Sequence, residues 1–195
     1  SLGGDAARLA GILERQAAQM QELVSDLTDL SQIEAGAVAL EVEEAPLAGL
    51  LGGVAKDLEA AARAKGIEVV VEAPAGLAVR GDRRRLAQVF RNLVDNAVKF
   101  SPAGARVDVL VEPGPDGATA LVHVVDRGIG IPASEQAKVF QRFYRIDPSR
   151  TKTRTPGTGL GLAIVKHLLI LHGGTVRLES EPLRGSRFTV TLPAS

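Results

Sequence analysis

Two glycine-rich turns constrain this chain most: DRGIGIP, which starts at Asp126, and PGTGLGL, which ends at Leu162. Glycine lets backbone approach a ligand closely and adopt a positive φ at little steric cost. The second turn runs directly into a segment with helical apolar spacing, and the free N–H groups at a helix start are suited to binding phosphate. The stretch therefore predicts one wall of a nucleotide site, with the polar, basic segment between the turns acting as a lid.

The bulk composition argues against several other functions. Basic and acidic residues balance at 23 each, so we expect no nucleic-acid or membrane-surface binding. The absence of cysteine excludes disulfides and thiolate chemistry. No apolar run approaches the roughly 20 residues that span a bilayer. The N-terminal SLGGDAAR lacks the features of a signal peptide and reads as the cut end of a longer chain.

The N-terminal segment carries a regular seam, at alternating steps of four and three residues. Its positions are Leu9, Leu13, Gln16, Met20, Leu23, Leu27 and Leu30. This spacing predicts a long helix, ending near Gly36, whose stripe needs a partner helix in a bundle or coiled coil. Packing of the helix on its own domain is the alternative, but the regular spacing and the position at the chain end favour the bundle.

The rest of the chain alternates between strand and helix patterns. Strands are predicted at 38–42, 67–71, 78–80, 106–111, 118–125, 175–180 and 186–192, and helices at 46–65, 83–100 and 160–172. This order predicts an α+β fold, a two-layer sandwich whose mixed, mostly antiparallel sheet is covered on one face, preceded by the long helix.

The helix at 83–100 has an unusual polar stripe beside its apolar face. Asn92, Asn96 and Lys99 follow one another at i, i+4 and i+7, so they share one side of the helix. On a mostly buried helix each must find a partner or pay a desolvation cost. A polar face in water is the alternative, but a ligand with phosphates and a metal would satisfy all three groups.

Together, these motifs resemble the ATP-binding catalytic domain of sensor histidine kinases, which has the Bergerat (GHKL) fold. RNLVDNAVKFSP is similar to the N box of that family, DRGIGIP to its G1 box, FQRFYR to its F box, and GTGLGLAIVKHLLILHGG to its G2 box. LVSDLTDLSQIEAG is similar to the second helix of the dimerisation and phosphoacceptor hairpin. The resemblance implies a partial hairpin helix at 1–36 and the catalytic domain at 37–195.

The resemblance also implies roles for individual residues. Asn96 would hold Mg²⁺, with Asn92 and Lys99 along the phosphates, and these three form the catalytic set. Asp126 would accept the adenine amino group. The implied ATP-binding residues are Asn92, Asn96, Lys99, Phe100, Asp126, Gly128, Gly130, Ile131, Tyr144, Arg145, Arg150, Lys152, Gly157, Thr158, Gly159, Leu160, Gly161 and Leu162.

Asn92 bears on the type of reaction. Hydrolytic relatives of this fold carry a water-activating glutamate at that position, and an amide is a poor general base, so transfer to another acceptor is favoured over hydrolysis.

The phosphoacceptor is not evident in this sequence. The family's acceptor histidine lies on the first helix of the hairpin, whereas His123, His167 and His172 fall in a strand and in the last helix and are interpreted as structural. We therefore expect nucleotide binding without self-phosphorylation. The resemblance further implies a homodimer through the N-terminal helix, a response regulator as partner, and a cytoplasmic location, with membrane anchoring of the parent protein left open.

Three other interpretations of the sequence compete with this one. A dinucleotide fingerprint requires G-x-G-x-x-G directly after a strand, and the spacing here is wrong. A serine kinase of the anti-sigma-factor type would share the fold, but the DLSQIEAG segment argues against it. A nucleotide-sensing, degenerate module stays open, although Asn96, Asp126 and both glycine turns are intact.

Overall fold

A computed structural model of the chain describes residues 2–115, 117–146 and 157–195. In chain order the elements are α1 (Leu2–Glu34), β1 (Glu43–Pro46), α2 (Leu47–Ala64), β2 (Glu68–Glu72), β3 (Ala78–Gly81), α3 (Arg83–Phe100), β4 (Arg106–Pro113), β5 (Thr119–Val125), α4 (Ala133–Gln136), α5 (Gly161–Leu171), β6 (Thr175–Glu181) and β7 (Gly185–Pro193). In this part of the chain, no helix combines the length and apolar character needed to cross a membrane.

The main sheet has five strands in the order β2-β4-β5-β7-β6. β2 pairs with β4 in parallel, and all the other neighbours are antiparallel. Alternate residues of the strands, such as Val109, Val122 and Val190, are buried in one core together with α2, α3 and α5. The other face is polar, and Asp108 there pairs with Arg127. The predicted α+β sandwich with a mixed, mostly antiparallel sheet is confirmed.

One strand was predicted in the wrong place. Residues 38–42 form no strand, and the chain instead pairs at β1, which joins β3 in a second, two-stranded sheet. Burial accounts for the difference, since Ala45 of β1 lies opposite Val79 with both side chains fully buried, whereas Val42 is half exposed. Pro46 ends this strand with an extended backbone (φ −62°, ψ 118°) and precedes α2 instead of forming its first turn. The short helix α4 was not predicted.

Helix α1 has two different ends. Its last turns insert Leu30 and Ile33 into the common core, where α1 contacts α5. Earlier on the same seam, Leu13 and Met20 are 68% and 67% exposed. Packing on the chain's own domain therefore describes the end of α1, and the bundle prediction applies to the remaining seam. Gly36 has a φ of +65°, as expected of a glycine that follows a helix.

Helix α3 is fixed at its start and along one face. The Asp82 carboxylate accepts hydrogen bonds from the backbone N–H groups of Arg84 and Arg85, at 3.0 and 3.1 Å. Burial acts to raise the pKa of Asp82, but backbone hydrogen bonds, including that from Glu41, outweigh it and hold the pKa below its ordinary value. Seven residues of α3 are buried in the core. The polar stripe beside this buried face is therefore held in one orientation.

Candidate functional site

A cavity of about 180 Å³ opens between α3 and the two glycine turns. One water molecule needs only about 10–15 Å³ of such space, so the cavity accommodates a ligand group. The predicted site residues that line it are Asn92, Asn96, Lys99, Phe100, Asp126, Gly130, Ile131, Tyr144, Arg145, Gly157, Thr158, Gly159, Gly161 and Leu162. Gly128 and Leu160 are packed in the interior instead. Arg150 and Lys152 lie outside the described residues.

The α3 wall of the cavity presents two amides and an ion pair. The Asn92 Nδ2 group donates a hydrogen bond to the Gly161 carbonyl at 3.2 Å, which joins α3 to the start of α5. The Lys99 ammonium lies 2.6 Å from the Asp95 carboxylate, and both side chains are about a quarter exposed. Asp95 also lines the cavity and was missed from the sequence, although its i, i+4 spacing to Lys99 is a readable signal. The positive charge at this wall is therefore already balanced.

The cavity is also lined by a buried carboxylate. Asp126 follows β5 and is 7% exposed, and its Oδ1 atom accepts a hydrogen bond from the Gly128 N–H at 2.7 Å. Burial raises the pKa of Asp126, while hydrogen bonds from Gly128 and Ser186 oppose that rise. Ile131 and Phe188 line the same cavity. A buried acceptor beside apolar side chains suits a flat ligand that carries an N–H donor.

The first glycine turn owes its glycines to protein packing. A Cβ atom on Gly130 would lie 1.9 Å from the Glu181 carbonyl oxygen, and Gly130 has a φ of +66°. A Cβ atom on Gly128 would lie 2.7 Å from the Phe100 carbonyl oxygen. The sequence predicts that these glycines allow close approach of a ligand, but the space is taken by the β6–β7 hairpin and the end of α3.

The second glycine turn is tied to helix α1. The Thr158 hydroxyl donates a hydrogen bond to the Asp26 carboxylate at 2.8 Å and accepts one from the Leu160 N–H at 3.2 Å. The Leu160 N–H, which was expected to face phosphate, is therefore engaged by a side chain. Asp26 also lines the cavity. No sequence signal pointed to it, because Asp26 and Thr158 are 132 residues apart.

A comparison with known protein families identifies the family of this chain. Residues 81–195 match the family described as histidine kinase-, DNA gyrase B- and HSP90-like ATPases. The chain belongs to this family. Its match begins at Gly81, at the end of β3, and includes α3, both glycine turns and the closing hairpin.

Several relatives of this chain are named as histidine kinases. It is 43% identical to the circadian input-output histidine kinase CikA of Synechococcus elongatus, over 88% of this chain and 23% of that protein. It is 34% identical to the sensor-like histidine kinase SenX3 of Mycolicibacterium smegmatis, over 95% of this chain and 48% of that protein. The chain thus spans less than half the length of these relatives, and it is an ATP-binding catalytic domain of the histidine-kinase type.

A solved structure of this family agrees with the fold. The crystal structure of full-length ShkA in complex with AMPPNP superposes with a TM-score of 0.80 at 30% identity, covering 93% of this chain and 37% of that one. The likeness extends over nearly all of this chain, so α1 is included along with the sandwich.

The three histidines of this ATPase domain have partners in the fold. His172 donates from Nδ1 to the Leu168 carbonyl at 2.7 Å and accepts at Nε2 from the Asp82 N–H at 3.0 Å. His123 lies 3.0 Å from the Thr189 hydroxyl. His167 lies 2.8 Å from the carbonyl of Ala163, one turn earlier in α5. These contacts support the structural interpretation of all three.

Proposed function

We propose that this chain binds ATP with Mg²⁺ and supplies the catalytic site of a sensor histidine kinase, which transfers the γ-phosphoryl group to a histidine not present among these 195 residues. The observation that carries the proposal is one cavity lined both by a buried carboxylate, Asp126, and by the polar stripe of α3. These two groups match the two parts of a nucleotide, a flat base with an N–H donor and a charged phosphate chain.

At the base end, Asp126 accepts the exocyclic amino group of adenine. Guanine carries a carbonyl at that position, so the carboxylate selects ATP over GTP. Ile131 and Tyr144, which line the cavity, lie against the base or sugar, with Phe100 at the end of α3. This selection depends on an ionised carboxylate, because only that form accepts at both oxygens.

At the phosphate end, the donor set fits Mg²⁺. Magnesium prefers hard oxygen ligands and keeps several waters, and Asn96 offers an amide oxygen one residue from the Asp95 carboxylate. Asn96 is the residue proposed to hold the ion, which would neutralise charge on the phosphates. Lys99 exchanges its contact with Asp95 for phosphate oxygens.

The second glycine turn and the lid complete the phosphate site. Gly157, Gly159 and Gly161 bring backbone N–H groups to the phosphate chain, and Arg145 supports it from the cavity edge. Arg150 and Lys152 keep their proposed phosphate contacts, in a segment outside the described residues.

Phosphoryl transfer is favoured over hydrolysis. The Asn92 amide donates to the Gly161 carbonyl and offers no basic group for activating water. We assign residues 1–36 to a partial dimerisation helix and residues 37–195 to the catalytic domain. In the full-length protein the exposed seam of α1 would form the homodimer, and a response regulator would receive the phosphoryl group.

Two measurements test this function. Calorimetric titration with ATP and GTP, with and without Mg²⁺, should give Mg²⁺-dependent binding of ATP alone. Addition of a separate hairpin carrying an acceptor histidine should then yield phosphohistidine on that hairpin and none on this chain. Binding without transfer would favour the nucleotide-sensing module, and phosphoserine on a protein substrate would favour the serine kinase.

A further inference from the structure

The C-terminus of α3 ends at the cavity and needs a cap. The last four carbonyl groups of a helix have no partner within it, and they form the negative end of the helix dipole. Two of the last residues of α3, Lys99 and Phe100, line the cavity with their side chains. A group that donates hydrogen bonds to these carbonyl oxygens therefore also influences the positions of the Lys99 and Phe100 side chains.

Lys65, at the end of α2, supplies this cap. Its Nζ atom donates hydrogen bonds to the carbonyl oxygens of Val98, Lys99 and Ser101, at 2.7, 2.9 and 2.9 Å. An ammonium has three N–H donors, so all of them are used at this one helix end. The Lys65 carbonyl also accepts from the Gly104 N–H at 3.0 Å. Side chain and backbone thus hold the end of α3 and the turn that follows it.

Phe100, which lies between the capped carbonyl groups of Lys99 and Ser101, touches the first glycine turn. Gly128 packs against the Phe100 carbonyl group so closely that a Cβ atom there would lie 2.7 Å from the oxygen. The N–H group of the same Gly128 donates to the Asp126 carboxylate. A shift of the last turn of α3 would therefore move Lys99 and Phe100 directly and Asp126 through Gly128.

We propose that Lys65 is a positioning residue of the nucleotide site, which fixes the last turn of α3 against the first glycine turn. The proposal rests on the proposed function. Lys65 touches no ligand itself and acts through the carbonyl groups of Lys99 and Ser101. A cation that only stabilised the helix end would leave the ligand affinity of the folded protein unchanged, and this difference is measurable.

The test compares Lys65→Met with Arg63→Met. Both changes remove one cation from the end of α2, but Arg63 is exposed and pairs only with Glu59 among the described residues. At a temperature where circular dichroism shows each protein folded, we expect Lys65→Met to weaken ATP–Mg²⁺ affinity about tenfold, as loss of a charged hydrogen-bond donor implies. Arg63→Met should bind like the wild type. Equal affinity in folded Lys65→Met would overturn the proposal, even if its Tm falls.

Amide hydrogen exchange gives a second, ligand-free readout. In Lys65→Met we expect faster exchange at Ser101 and Gly128, and unchanged exchange at residues 175–177, the start of β6, away from the β6 residues that pack on the first glycine turn. Unchanged exchange at Gly128 would overturn the proposal. If wild-type protein failed to bind ATP, the proposed function would fail, while this exchange pattern would still decide the role of Lys65.

Lys65→Arg serves as the conservative variant and covers the case in which Lys65→Met does not fold. Arginine keeps the charge, but its planar fork cannot direct three donors as a compact ammonium does. We expect a loss of affinity of about threefold, intermediate between wild type and Lys65→Met. Wild-type affinity in Lys65→Arg together with unchanged exchange at Gly128 would overturn the positioning role.

Discussion

Helices α3 and α1 both bring polar side chains to the same cavity, but they are held there in different ways. α3 buries residues along its whole length, including Phe90 and Leu93, which are fully inaccessible, and it is capped at both ends. Among the side chains of α1 that the structure describes, only Leu30 and Ile33, in its last turns, are buried. One wall of the cavity therefore belongs to the folding core, and the other depends on a docked helix end.

Besides Leu30 and Ile33, partly exposed polar contacts hold the docked end of α1. Asp29 pairs with Arg85 at 3.1 Å and accepts from Gln88 at 2.8 Å. Glu34 pairs with Arg142 at 2.6 Å. Partly exposed ion pairs typically contribute less than about 1 kcal/mol each. We therefore predict that α3 forms a permanent wall of the cavity and that α1 forms a detachable one.

The largest effect should come from truncating the core of each helix. Leu93→Ala should reduce the free energy of unfolding by about 2–5 kcal/mol, because it leaves a cavity in the core. Leu30→Ala should cost less, since α1 can detach and the loss is then limited to its docking energy. Leu13→Ala, on the exposed seam, should stay within about 0.5 kcal/mol. Urea denaturation measures all three, and equal losses for Leu93→Ala and Leu30→Ala would contradict a detachable α1.

The next effect concerns the permanent wall. Asn96→Ala should weaken Mg²⁺-dependent ATP binding by about a hundredfold or more, which is the scale of losing a group that organises metal and phosphates. Arg91→Ala is the matched control, because Arg91 lies on α3 and pairs at the surface with Asp57. Titration calorimetry with and without Mg²⁺ measures the ATP affinity of both variants. Wild-type ATP binding by Asn96→Ala would show that α3 does not contribute to the phosphate site.

The pH response of Asp126 tests the part of the cavity that belongs to neither α1 nor α3. Its pKa is raised above 3.8 by burial. In the window between 3.8 and the raised value, the folded protein binds more protons than the unfolded chain, so stability falls as pH rises through it. ATP affinity should instead fall as the pH falls, by about tenfold per pH unit below the raised pKa, because the protonated carboxyl group no longer accepts at both of its oxygens.

The variant Asp126→Asn checks this assignment. It should abolish the preference for ATP over GTP and remove both pH dependences, and without nucleotide its Tm at neutral pH should equal or exceed that of the wild type. Titration calorimetry and thermal melts across pH give the measurement. If Asp126→Asn still preferred ATP over GTP, adenine would not bind at Asp126.

The smallest effect should come from the detachable wall. Asp26→Asn removes a carboxylate from the cavity edge near the second glycine turn, so ATP affinity should rise by about two- to fivefold at low salt and less at high salt. Glu14→Gln, an exposed change earlier on α1, should have no effect. A fall in affinity would instead mean that Asp26 assists in holding the metal ion.

The sequence predicted the permanent wall better than the detachable one. The stripe of Asn92, Asn96 and Lys99 follows from helical spacing alone, so its arrangement was readable without tertiary contacts. The contact between Asp26 and Thr158 joins residues 132 positions apart, and no local pattern encodes it. The strand misplaced at 38–42 failed for the same reason, since pairing with Val79 selected the register around Ala45.

The sequence by itself therefore determined the α+β class, the polar stripe of α3 and the two glycine turns, because local spacing and backbone freedom express these features directly. Only the tertiary structure decided why Gly130 must be glycine, which helix reaches Thr158, and that Lys65 caps α3 at the cavity. Those outcomes depend on which distant groups meet when the core closes, and hydrogen-bond partners across such distances are fixed by packing.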